Sequence, residues 1–147
     1  MNRKHGFSLI ELIVVIAILG ILSATALQAH RTVQRRACGS EAIYMLRQLL
    51  DAQIIYFLEH DKFFPKVNKT VAVFHDDLPT KAEISQIRDA LKVGLPVGHF
   101  LDFTIATLPG WTSMVTVSSY KNSFPLFKNG SPAITGIVDK NGKVDIL

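Results

Sequence analysis

Between Leu12 and Ala29 the chain runs for eighteen residues without a formal charge, dominated by Leu, Ile, Val and Ala. A helix needs roughly 20 such residues to cross a bilayer, so this run is a membrane-helix candidate before anything else is known. It also governs how the composition is read. The chain is 48 % hydrophobic, but the excess is concentrated near the N-terminus and signals an anchor more than a large core. The length of 147 residues leaves room for one modest domain besides the run.

An apolar N-terminal run has a disposable reading as a secretory signal, with a small-residue cleavage site after it, and Ala24-Thr25-Ala26 offers one. Two features oppose that reading. The polar leader Met1-Asn2-Arg3-Lys4-His5-Gly6 gives way at once to Phe7-Ser8-Leu9-Ile10-Glu11-Leu12, with no gradual entry. Glu11 then sets a carboxylate at the edge of the apolar helix. An ionisable group costs up to roughly 3 kcal/mol at the membrane centre and less near its surface, so such a residue is a functional candidate by default. A signal that is cut away gains nothing from it.

The segment Gly6-Phe7-Ser8-Leu9-Ile10-Glu11-Leu12-Ile13-Val14-Val15-Ile16-Ala17-Ile18-Leu19-Gly20-Ile21-Leu22 closely resembles the processing site and anchor helix of type IV pilins and type II secretion pseudopilins. The resemblance implies cleavage between Gly6 and Phe7 by a membrane-embedded prepilin peptidase, and N-methylation of the new terminus at Phe7. Gly6 suits an extended backbone in a narrow protease site. The resemblance also assigns Glu11 a role in assembly. Glu11 lies one helical turn beyond the new amine, and the positive N-terminus of a neighbouring subunit is the partner expected to neutralise it.

Topology is expected from the same source. Arg31, Arg35 and Arg36 outnumber Arg3 and Lys4, so flanking charge does not set the orientation. The resemblance places the leader in the cytoplasm and the remainder outside the inner membrane. The implied partners are the peptidase, other copies or related pilins, an inner-membrane assembly platform, and lipid before assembly. Where pilins commonly carry a helix-kinking proline, this chain has Gln28.

Downstream, no proline occurs before Pro65, and Gly20 and Gly39 are the only glycines between Phe7 and that proline, so one long helix is expected to about Asp61. Ile43, Leu46, Leu50, Ile54 and Phe57, flanked by Ala42, Leu49 and Tyr56, form a wide apolar stripe at helical spacing. Phe63-Phe64-Pro65 reads as the stop. Residues 66–78 read as a connecting loop, with Asp76 and Asp77 in a solvated turn. Thr80-Lys81-Ala82-Glu83 has the spacing of a capping box. A short helix is expected after it, burying Ile84, Ile87 and Leu91 and ending at Gly94-Leu95-Pro96.

Strand texture follows in Leu101 to Leu108, Trp111 to Tyr120 and Ala133 to Val138. Asp139-Lys140-Asn141-Gly142 then turns the chain into Lys143 to Leu147. The expected fold class is α+β and pilin-like: a leader (1–6), an anchor or filament-core helix (7–30), an amphipathic helix (31–62), and a globular part (63–147) whose three or four antiparallel strands cover the stripe.

Little else in the chain points to chemistry. His5, His30, His60, His75 and His99 form no ligand pair at helical spacing, and no phosphate loop, nucleophile elbow or catalytic triad pattern stands out. No catalytic residue, metal or cofactor is expected. Cys38 is the single cysteine and reads as a small helix residue, excluding an intramolecular disulfide. Asp139, Asn141 and Asp145 offer oxygen ligands for calcium, though not at the spacing of an EF-hand, and a plain turn is the simpler reading. Charges of both signs are mixed, and the net charge of +4 falls to +2 without the leader, so no nucleic-acid partner is expected. The expected function is a structural subunit of a type IV pilus. The alternatives are a secretion pseudopilin or a minor pilin with a binding role, and an enzyme is the least favoured class.

Overall fold

The computed structural model describes residues 8–98 and 100–147 and contains two compact units, Met1–Gln34 and Arg35–Leu147. Helix α1, Leu9–His60, runs through both. In the first unit every described side chain is exposed, which is what a helix apolar on all sides presents when nothing packs on it.

The second unit places the rest of α1 on an antiparallel sheet. Its elements are β1 (Thr70–Val73), α2 (Ala82–Leu91), β2 (Leu101–Leu108), β3 (Thr112–Ser119), β4 (Ala133–Asp139) and β5 (Val144–Ile146), and the five strands lie side by side in chain order. The α+β architecture is the one expected, with one strand more than the higher expected count. The extra strand is β1, inside the stretch read as a connecting loop. Four residues between Lys69 and Phe74 give little sequence signal, but pairing Val71 with Ile105 and Val73 with Phe103 buries both valines.

The core forms where the α1 stripe meets the inward face of the strands. Ala42, Leu46, Leu49 and Leu50 are buried against a layer that includes Leu101, Phe103, Ile105, Val115, Val117 and Val138. Each buried leucine contributes on the order of 2 kcal/mol from apolar burial. β3 shows the period of two plainly: Ser113, Val115, Val117 and Ser119 are buried, and the residues between them are half-exposed. Gly136 on β4 lets the helix approach, because a Cβ there would collide with Leu50 Cδ1 and stand 3.3 Å from Leu46 Cδ1. Gly39 does the same beneath the loop at Leu126, whose carbonyl oxygen would lie 2.5 Å from an added Cβ.

The stripe is rotated slightly from the expected one. Its buried line is Cys38, Gly39, Ala42, Met45, Leu46, Leu49, Leu50, Ala52 and Gln53, while Ile43 is exposed and Ile54 and Phe57 are only half-buried. Helix α2 buries Ile84, Ile87 and Leu91 as its spacing predicts. Its ends differ. Lys81 is the N-cap and no side chain caps the helix, so the Thr80–Glu83 box is not formed. The helix stops at Leu91 with Lys92 left-handed at φ 57°, three residues before Gly94. Turning there sends Val93 and Leu95 into the core, and tertiary burial outweighs the local stop signal.

Candidate functional site

Of the residues that the sequence marks for processing and assembly, Glu11 lies at the start of α1. Gly6 and Phe7 fall outside the described residues. Glu11 occupies the first turn of the helix, where its Oε2 accepts the backbone N–H of Ser8 at 2.9 Å. This is the reciprocal half of a capping box, and the Ser8-Leu9-Ile10-Glu11 spacing was readable as one. The carboxylate therefore satisfies an otherwise orphaned amide at the helix end, where the dipole also favours negative charge.

Beyond Glu11, Leu9, Ile10, Leu12, Ile13, Ile16 and Leu19 project around the whole circumference and are all more than half exposed. By length and composition α1 is able to cross a membrane. Two threonine hydroxyls along this part of the helix are internally satisfied: Thr25 Oγ1 donates to the Leu22 carbonyl at 3.0 Å, and Thr32 Oγ1 to that of Gln28 at 3.0 Å. Such back-bonding removes hydroxyl donors that lipid or a dry helix interface would leave unpaired. The helix continues through Gln28. The surface offered here is apolar, with a single carboxylate at its head.

The second unit holds polar constellations that sequence reasoning missed. Asp102 on β2 is buried, and its two oxygens accept the backbone N–H groups of His75 at 2.9 Å and Lys121 at 3.0 Å. It ties the loop after β1 to the turn after β3, where Lys121 and Asn122 are both left-handed. The His75 ring lies 3.7 Å from that of Tyr120, with its Nδ1 at 3.4 Å from Asp102 and 3.5 Å from Asp76. A lone Asp within an apolar strand was the available signal. Asp77 takes part in more than a solvated turn. Burial raises its carboxyl, but the Lys81 ammonium at 2.8 Å and the Phe74 amide outweigh that and hold it below the usual carboxylate range.

Among the described residues no group of three His, Cys, Asp or Glu side chains is placed to hold a metal ion. The Asp139 carboxylate instead closes the β4–β5 turn, with Oδ1 accepting the amides of Asn141 and Lys143, each at 2.9 Å. Asp145 pairs with the Lys143 ammonium at 2.9 Å. The three expected oxygen donors are thus engaged in or beside a hairpin. Cys38 is buried and unbridged, and burial followed by the charge of Glu41 pushes its thiol up, which makes it a poor nucleophile.

Residues 1–27 match the family described as "Prokaryotic N-terminal methylation motif". The chain is 46 % identical over 70 residues to a type IV major pilin protein PilE1 of Neisseria gonorrhoeae, a match taking in 48 % of this chain and 42 % of that one. It is 42 % identical over 67 residues to the type IV major pilin protein PilA of Myxococcus xanthus, covering 46 % and 30 %. To a fimbrial protein of Moraxella nonliquefaciens it is 57 % identical over 42 residues, covering 29 % and 27 %. The matched stretch spans less than half the length of each of these relatives, and no solved structure matches the chain significantly. The methylation motif, the exposed apolar helix behind it and the similarity to type IV major pilins together make the N-terminal half of this chain similar to that of type IV pilins.

Proposed function

We propose that the chain is a structural subunit of a type IV pilus, stored in the inner membrane and polymerised through its N-terminal helix. Leader 1–6 is removed between Gly6 and Phe7 by prepilin peptidase, and Phe7 becomes N-methylated. Residues 7–30 anchor the subunit in lipid with the leader on the cytoplasmic side, and later form the filament core together with other copies or related pilins. An inner-membrane platform carries out the transfer.

The observation that carries this reading is the apolar surface of α1, exposed on every side behind a processing motif. In lipid that surface is already solvated by hydrocarbon, so moving it into a bundle of like helices involves little hydrophobic gain. Association then depends on close packing and on polar contacts. Glu11 is the one ionisable group in the apolar stretch, and a neighbour's amine is the partner that makes its burial tolerable. A subunit with its amine out of register leaves the carboxylate unpaired, so Glu11 sets axial position as well as attraction.

A secretion pseudopilin would carry the same anchor, but the similarity to major pilins and fimbrial proteins favours the pilus. N-terminal mass spectrometry of the mature chain tests the processing, with N-methylated Phe7 as the expected first residue. Electron microscopy of a deletion strain tests the filament: surface pili should be lost and should return with the restored gene. Intact pili together with failed protein secretion would sink the pilus reading.

A further inference from the structure

A buried glutamine in an apolar stripe needs a reason, and the reason for Gln53 is the loop that it holds. Gln53 is wholly buried; its Nε2 donates to the Phe64 carbonyl at 2.5 Å and its Oε1 accepts the Phe64 amide at 3.1 Å. Farther along the same loop, Thr107 Oγ1 donates to the Pro65 carbonyl at 2.7 Å, and the Asn68 amide donates to the Thr107 carbonyl at 2.9 Å. The loop is thus pinned to both helix and sheet. What it displays is three lysines, Lys62, Lys66 and Lys69, all exposed and all lining one cleft of about 420 Å³. No ion pair reaches any of the three among the described residues.

The rest of the lining differs in chemistry. Tyr56 and Phe64 form an aromatic wall, ring centroids 6.1 Å apart and edge to face, with His60 stacked on Tyr56 at 4.2 Å. Glu83 and Gln86, three residues apart on α2, add a carboxylate and an amide. A site of this size with an apolar wall and a few fixed polar groups fits a small ring or a short stretch of polymer.

We propose that this cleft binds an acidic carbohydrate, a run of sugar rings bearing carboxylates. The ammonium groups match the carboxylates, and the aromatic wall matches the C–H face of a sugar ring. Glu83 and Gln86 accept hydroxyl protons. A DNA strand has no hydroxyls along its length to offer them. Because the loop is held before the ligand arrives, little ordering is required on binding.

The test is calorimetric titration of the full-length chain in detergent micelles with an oligogalacturonate, its neutral methyl ester and a thymidine oligonucleotide of similar charge. Saturable oligogalacturonate binding is expected, weakened at least tenfold by methyl esterification, by K66Q/K69Q and by raised salt. The lysines and Glu83 are at the surface, and circular dichroism confirms folding of each variant. Absence of saturable oligogalacturonate binding overturns the proposal, as does binding indifferent to K66Q/K69Q. Tighter binding of the oligonucleotide than of the oligogalacturonate overturns it in favour of a nucleic-acid site. The measurement requires no filament, so its outcome stands apart from that of the pilus assignment.

Discussion

The Glu11 carboxylate accepts the backbone amide of Ser8 at 2.9 Å, so the residue expected to guide assembly also caps its own helix. These two roles have different chemical requirements. A cap needs an acceptor oxygen, which Gln supplies as well as Glu, whereas attraction to a neighbouring amine needs the charge.

Glu11→Gln is therefore expected to leave helix content and processing unchanged while filament yield, counted by electron microscopy, falls about tenfold or more, the effect of roughly 1.4 kcal/mol per subunit contact. Glu11→Val should remove both roles and yield fewer filaments still. If Glu11→Gln assembles like the parent, capping is the whole contribution of Glu11.

Gly136 faces Leu50 across the helix–sheet contact with no room for a methyl group. Gly136→Ala should destabilise the chain by about 1–3 kcal/mol, as overpacking does, read as a lowered denaturation midpoint. Adding Leu50→Ala should recover part of the loss, because the two side chains compete for one space. Additive losses would disprove the contact.

Replacing Gln53 by Leu keeps volume and removes both bonds to Phe64. Its amide and carbonyl would be left unsatisfied, at a cost of about 1–3 kcal/mol. Hydrogen exchange should show faster exchange at Phe64 first, with the β2–β3 amides still protected. Unchanged protection at Phe64 would mean the clamp is unimportant.

The Asp139 carboxyl is held below its usual range chiefly by the Lys143 amide; desolvation opposes this, and the smaller effects of Asn141 and of the Lys143 charge add to the lowering. A carboxyl whose folded value lies below its unfolded one adds stability that is complete above the unfolded value, about 3.9, and disappears as pH falls through the folded value. Amide protection at Lys143 should accordingly be constant from neutral pH to about pH 5 and decline below pH 4. Asp139→Asn should flatten that dependence.

Much of this protein was legible in its sequence because the signals are local. The uncharged run from Leu12 to Ala29, the absence of proline before Pro65, and the Asp139 to Gly142 turn each depend on a few neighbouring residues, and α1 and the β4–β5 hairpin follow them. The Ser8-x-x-Glu11 cap is equally local, its carboxylate serving as an acceptor as well as a charge.

The sequence by itself determined the apolar N-terminal segment, the long helix, the strand-rich second half, and the resemblance to type IV pilins through its N-terminal motif. Only the tertiary structure decided the rest. Thr70–Val73 is a strand because Phe103 and Ile105 lie beside it, and α2 stops at Lys92 because Val93 and Leu95 have a core to enter. Gln53 and Asp102 are structural because partners 11 and 27 residues away present bare amides to them. Hydrogen-bond demand and apolar burial over such separations are set by the folded arrangement, and no window of neighbouring residues contains them.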